Sequence, residues 1–89
     1  MKYTVIWKHS AEAELADLWI KAKDRNEIAE AADEIDDLLR KDAQEVGESR
    51  DDRVRIVVVP PLGVEFEVQE ADLMIYVLAV WRFRVGPRR

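Results

Sequence analysis

Polar and apolar positions divide this chain into two halves with different periods. Residues 2–8 alternate in part, with Tyr3, Val5 and Trp7 on one side and Ile6 on the other, which predicts a short strand. His9-Ser10 then offers a helix N-cap, because a serine oxygen can accept from the free amides of a first turn. Ala11, Leu15, Leu18, Trp19 and Ala22 recur at helical spacing, and Glu12 and Glu14 sit where the helix dipole favours negative charge. Trp7 and Trp19 both follow apolar stripes and are read as core. Lys23-Asp24-Arg25-Asn26 interrupts the stripe, and Asp24 followed by Glu27 has capping-box spacing. A second helix is predicted to about Lys41, with Ile28, Ala31, Ala32, Ile35, Leu38 and Leu39 on one face and acidic residues on the other. So short a connection favours an antiparallel helix hairpin.

After a polar loop at 47–52 the period becomes two. Residues 53–59 read as a strand, and Pro60-Pro61-Leu62-Gly63 turns the chain, since two prolines cannot continue a ladder. Val64, Phe66 and Val68 alternate with Glu65, Glu67 and Gln69, as in a half-buried strand. Glu70-Ala71-Asp72 is a tight turn. Residues 73–83 are apolar on both faces, which predicts a central strand buried on both sides. Residues 85–89 read as a flexible tail. Eight alanines lie in residues 1–49 and nine valines in residues 50–89, in agreement with helices first and strands after. The expected fold is α+β in the order β-α-α-β-β-β. A helix hairpin packs on a mostly antiparallel four-stranded sheet, with the first strand at an edge.

The length of 89 residues allows one domain, spanning 1–89. The absence of cysteine excludes a disulfide framework, a thiol nucleophile and a Cys-ligated zinc site. No apolar run is long enough for a membrane helix, and the N-terminus lacks a signal-peptide core, so a cytoplasmic protein without a membrane partner is expected. The net charge of −5 argues against a generally basic nucleic-acid coat. Charge is unevenly spread: residues 1–49 carry seven basic and thirteen acidic side chains, whereas residues 50–89 carry seven basic and six acidic. All seven late basic residues are arginines, whose planar fork suits phosphate and carboxylate. A bias of base composition toward arginine explains the same pattern equally well.

In this order of elements the chain resembles the toxins of the RelE/ParE superfamily, from bacterial type II toxin–antitoxin modules. The resemblance spans residues 2–84. It rests on the opening strand Tyr3-Thr4-Val5-Ile6-Trp7, then Ser10-Ala11-Glu12-Ala13-Glu14-Leu15 entering the first helix. It continues through Gly47-Glu48-Ser49-Arg50, Arg53-Val54-Arg55-Ile56 and Gly63-Val64-Glu65-Phe66-Glu67-Val68. It ends with Val77-Leu78-Ala79-Val80-Trp81-Arg82-Phe83-Arg84. The resemblance implies growth inhibition, a role in plasmid stabilisation and a cognate antitoxin as partner. RelE-like members act as endoribonucleases that cut mRNA in the ribosomal A site, while ParE-like members poison DNA gyrase. The target is therefore the ribosome and its mRNA or gyrase, with a catalytically degenerate binding module as a further alternative.

Cleavage beside a 2′-OH needs a group to take its proton, positive charge on the phosphate and a proton for the leaving oxygen. The resemblance places these basic groups on the strand at 53–59, at the start of the next strand and after the last strand. Arg53, Arg55 and Arg82 are the catalytic candidates, and Arg50, Arg84 and Trp81 the candidates for RNA or target binding. Arg53 and Arg55 share one face through their i, i+2 spacing. The same arginines also fit charges that guard a strand edge or strand end. This chain departs from the family pattern in two places: nothing basic stands near Leu62-Gly63, and the C-terminal tail has no tyrosine. Glu65 and Glu67 would repel phosphate. No metal constellation and no phosphate-cradling glycine loop occurs, so no cofactor is expected.

Overall fold

A computed structural model describes residues 2–49 and 53–83. Its strands are β1 (Thr4–Trp7), β2 (Glu48–Ser49), β3 (Val54–Val59), β4 (Leu62–Gln69) and β5 (Met74–Arg82). Its helices are α1 (His9–Lys21) and α2 (Arg25–Asp42), with a 3-10 turn at Glu70–Asp72. The strands form one sheet in the order β1-β5-β4-β3-β2, in which β1 runs parallel to β5 and every other pair is antiparallel. The fold is thus the expected α+β, with the first strand at an edge and five strands instead of four. The additional strand is two residues long, too short for alternation to reveal. Gly47 creates it: with φ at 75° it turns the chain so that Glu48 and Ser49 pair with Ile56 and Arg55. A side chain at Gly47 would collide with the Ile56 carbonyl oxygen.

Both helices lie on one face of the sheet. Ala11 of α1 and Ile28, Ile35 and Leu39 of α2 pack on Leu62, Val64, Phe66, Ile75 and Val77, all fully buried. Truncating a side chain such as Phe66 to alanine costs about 3–5 kcal/mol, through lost transfer energy and the cavity left behind. In β5, Ala79 faces Glu65 while Val77 faces Phe66, so Leu78 is the extra residue of a bulge. The bulge returns Val80 to the core face. The Val80 amide donates to Glu14 Oε1 of α1 at 2.9 Å, which ties the helix to the sheet.

Several local expectations need correction. Helix α1 begins at His9, with Lys8 in the cap position and no side-chain cap. The Glu12 amide already bonds the Lys8 carbonyl at 2.9 Å, so the main chain closes the first turn before Ser10 can cap it. Asp24 does occupy the N-cap position of α2, but its side chain makes no capping bond. Trp7 is half-buried against α2, where its Nε1 donates to Asp36 at 3.3 Å. Trp19 is not core: it is 43% exposed, beside Ile20 at 61%. Among the described residues strand β5 is covered on one side only, because both helices pack on that same face of the sheet. The tail at 85–89 lies outside the described residues. Among the described residues no helix is long and apolar enough to cross a membrane.

Candidate functional site

Alternation carries Arg53 and Arg55 to the helix-facing side of the sheet, at its β3 border. Arg55 lies beside Phe66 of β4 and is spent on the chain leaving α2. Its Nε donates to the Val46 carbonyl at 2.9 Å and its Nη2 to the Gly47 carbonyl at 3.0 Å. These charge-assisted bonds hold the turn that presents β2. Arg53 is exposed, and its carbonyl accepts from the Val68 amide at 2.9 Å. Both arginines line a cleft of about 360 Å³ with Gln44, Gln69 and Glu70.

Arg82 stands at the other end of the sheet, opposite Leu62. Its Nη1 donates to Asp24 Oδ1 at 3.0 Å and its Nη2 to Asp24 Oδ2 at 2.7 Å, a bidentate fork between the last strand and the start of α2. Arg82 Nε is buried without a hydrogen-bond partner. The hydrogen bonds to Asp24 raise the guanidinium pKa above its ordinary value, partial desolvation opposes them, and the charges of Asp24 and Glu27 add to the rise. Lys21, Lys23 and Glu27 line the same open cleft of about 810 Å³.

The structure therefore brings Arg53 and Arg55 together and leaves Arg82 apart. Leu62 and Phe66 are four residues apart on β4, so Arg82 and Arg55 are separated by roughly 13 Å along the strands, and they lie on strands to either side of β4. Arg50 and Arg84 lie outside the described residues. Among the described residues no group of His, Cys, Asp or Glu is placed to hold a metal ion.

Trp81 lies on the opposite, helix-free face. Its indole covers Gly63: a Cβ built there would stand 2.6 Å from Trp81 Cε2 and Nε1. The same face carries Ile56 and Val58 from β3, Glu65 and Glu67 from β4, and Ile6 and Tyr76 from β1 and β5. Lys8 Nζ sits 5.5 Å from the centre of the Tyr76 ring. Gln69 Nε2 donates to Glu67 Oε2 at 2.7 Å. Two features escaped the sequence reading. One is Asp24 as the partner of Arg82, which only the packing of distant segments creates. The other is an apolar groove of about 570 Å³ between α1 and α2, lined by Leu15, Trp19, Ile20 and Ile28.

A five-stranded sheet with a parallel edge strand and a helix hairpin on one face is shared with solved toxin structures. This is the fold of the RelE/ParE toxins. The toxin–antitoxin complex RelBE2 from Mycobacterium tuberculosis contains a chain that matches with a TM-score of 0.77 at 14% identity, over 92% of this chain and 92% of that one. A chain of the chromosomal ParDE toxin–antitoxin system from P. aeruginosa matches at 0.71 and 19% identity, over 93% and 98%. The isolated E. coli RelE toxin matches at 0.67 and 13% identity, over 94% and 87%. No protein-family model matches the chain, and no curated protein sequence does. The RelE/ParE fold is thus preserved here on a largely different sequence, and of the two positions where a basic residue is missing, Leu62 is buried under the helices while Gly63 lies beneath Trp81 on the helix-free face.

Proposed function

We propose that this chain is the toxin of a bacterial type II toxin–antitoxin module, inhibiting growth until a cognate antitoxin binds it. The observation that carries this reading is the match to three toxin structures over 92–94% of the chain. Fold alone does not choose the target. Cleavage of ribosome-bound mRNA is supported by the Arg53–Arg55 cleft, where exposed arginine can hold a phosphate. Arginine is a poor general base, so these residues would bind and stabilise charge, and the proton would go to another acceptor. Binding of a protein target, as in gyrase poisoning, is supported by the helix-free face, where Trp81, Ile56 and Val58 surround two carboxylates and no arginine of the described residues.

Brief induction of the chain in bacteria, with and without the antitoxin encoded beside it, tests the reading. Growth arrest that the antitoxin relieves is expected; growth without arrest overturns it. Primer extension on a translated mRNA then selects the target. New 5′ ends within codons, lost in Arg53→Ala, mark ribosome-dependent cleavage. Arrest with intact mRNA and a DNA-damage response marks gyrase.

A further inference from the structure

The helix-free face of the sheet is built like an interface. Strand β5 is apolar on both sides, and β3 adds Ile56 and Val58 to the same face, which no described element covers. Val58 is 38% exposed and Ile6 39%. A solvated sheet face normally alternates to polar residues, so apolar strands flanking a pair of carboxylates on an open face mark a binding site. Trp81 is fixed flat over Gly63 and provides a rigid aromatic anchor at low entropic cost. Glu65 and Glu67 project from β4 between the apolar strands, both half-buried.

We propose that this face docks a cationic, apolar segment of the cognate antitoxin, with lysine or arginine side chains seated on Glu65 and Glu67. The inference rests on the toxin–antitoxin reading and specifies the partner's chemistry. Covering two carboxylates with apolar chain is costly unless each gains a cation. Their i, i+2 spacing sets them roughly 7 Å apart, close to the separation of i and i+4 positions on a helix or i and i+2 positions on a strand. Nucleic acid is disfavoured because its phosphates would meet these carboxylates. A second copy of the chain would bring four carboxylates face to face, and Lys8 on this surface is already engaged over Tyr76. Arg55 and Arg82 make internal contacts, and the net charge of −5 favours a basic partner.

Titration calorimetry of the full chain with the antitoxin encoded beside it tests this. Glu65→Lys/Glu67→Lys should weaken binding at least about 30-fold, as expected for unpairing buried interfacial charges. Glu65→Gln/Glu67→Gln, which keeps size and removes charge, should weaken it less and flatten its salt dependence; it also serves as the readout should the double lysine variant not fold. Glu30→Lys/Glu34→Lys on the outer face of α2 should leave affinity unchanged. Unchanged affinity in both sheet variants overturns the proposal while leaving the toxin–antitoxin reading intact. No binding by the unmodified chain overturns the reading itself.

Discussion

The indole of Trp81 lies directly on the backbone of Gly63, and this contact is possible because position 63 has no side chain. A Cβ there would stand 2.6 Å from two ring atoms and 2.9 Å from a third, so the ring must move. Gly63→Ala should cost about 1–3 kcal/mol, the usual range for overpacking. In a Trp81→Ala background the same substitution should cost much less, because the clash is removed. Urea denaturation of the four proteins in the cycle gives the coupling. Equal costs in both backgrounds would mean that the ring does not rest on Gly63 in solution.

Asp24 and Arg82 are 58 positions apart and form a two-bond fork between the start of α2 and the end of β5. Arg82→Ala should lower the melting temperature, and Arg82→Lys should recover only part of the loss, since an ammonium cannot make both bonds. The guanidinium pKa is raised in the folded state. Stability from a raised cation is fully present below its unfolded pKa and is lost only as pH rises through the folded one. For an arginine that window lies beyond the ordinary alkaline range. The difference in melting temperature between the parent and Arg82→Ala should therefore stay constant from pH 7 to pH 10. A difference that shrinks across this range would show that another, titrating group holds Asp24. If Arg82→Ala also abolishes activity, the melting curve is needed to separate lost chemistry from lost fold.

Periodicity made most of the fold legible. The 3.6-residue stripes of α1 and α2 and the alternation of Val64, Phe66 and Val68 locate the core, because burial on one face imposes the period. The strand Glu48–Ser49 left no such trace, being a product of the Gly47 turn. Trp19 obeyed the helical stripe yet lies in a surface groove, since a stripe shows which face is apolar and not whether anything covers it. The same limit applies to β5: its two apolar faces are plain in the sequence, but only one is covered by the described residues. The arginine site was less legible. Spacing correctly put Arg53 and Arg55 on one face. Which face, and the carbonyl partners of Arg55, depend on where the helices pack and how the strands register.

Arg55 should act as the staple of the segment between α2 and β3. Its two bonds to the Val46 and Gly47 carbonyls are charge-assisted, and each such bond is worth about 1.5–3 kcal/mol when partly shielded. Arg55→Ala should destabilise the protein by about that much, and amide exchange should rise selectively at residues 46–49. Arg53→Ala should leave exchange in this segment unchanged. Equal protection in both variants would release Arg55 from a structural role and return it to the catalytic candidates.

Arg25 closes the end of α1 and fixes the most exposed tryptophan. Its Nε donates to the Trp19 carbonyl at 3.0 Å, which also accepts from the Ala22 amide at 3.3 Å, and its Nη2 donates to the Ile20 carbonyl at 2.8 Å. The same guanidinium stacks 4.7 Å from the centre of the Trp19 ring. Arg25→Ala removes all three contacts at a solvated site and should cost about 0.5–1.5 kcal/mol. It should also free the indole, lowering the fluorescence anisotropy of Trp19 in a background where Trp7 and Trp81 are phenylalanine. Arg25→Lys keeps the charge but loses the planar stack and the two-carbonyl fork, so it should resemble alanine in anisotropy. A lysine variant that retains the parent anisotropy would show that charge alone, and not the planar fork, orders this corner of the hairpin.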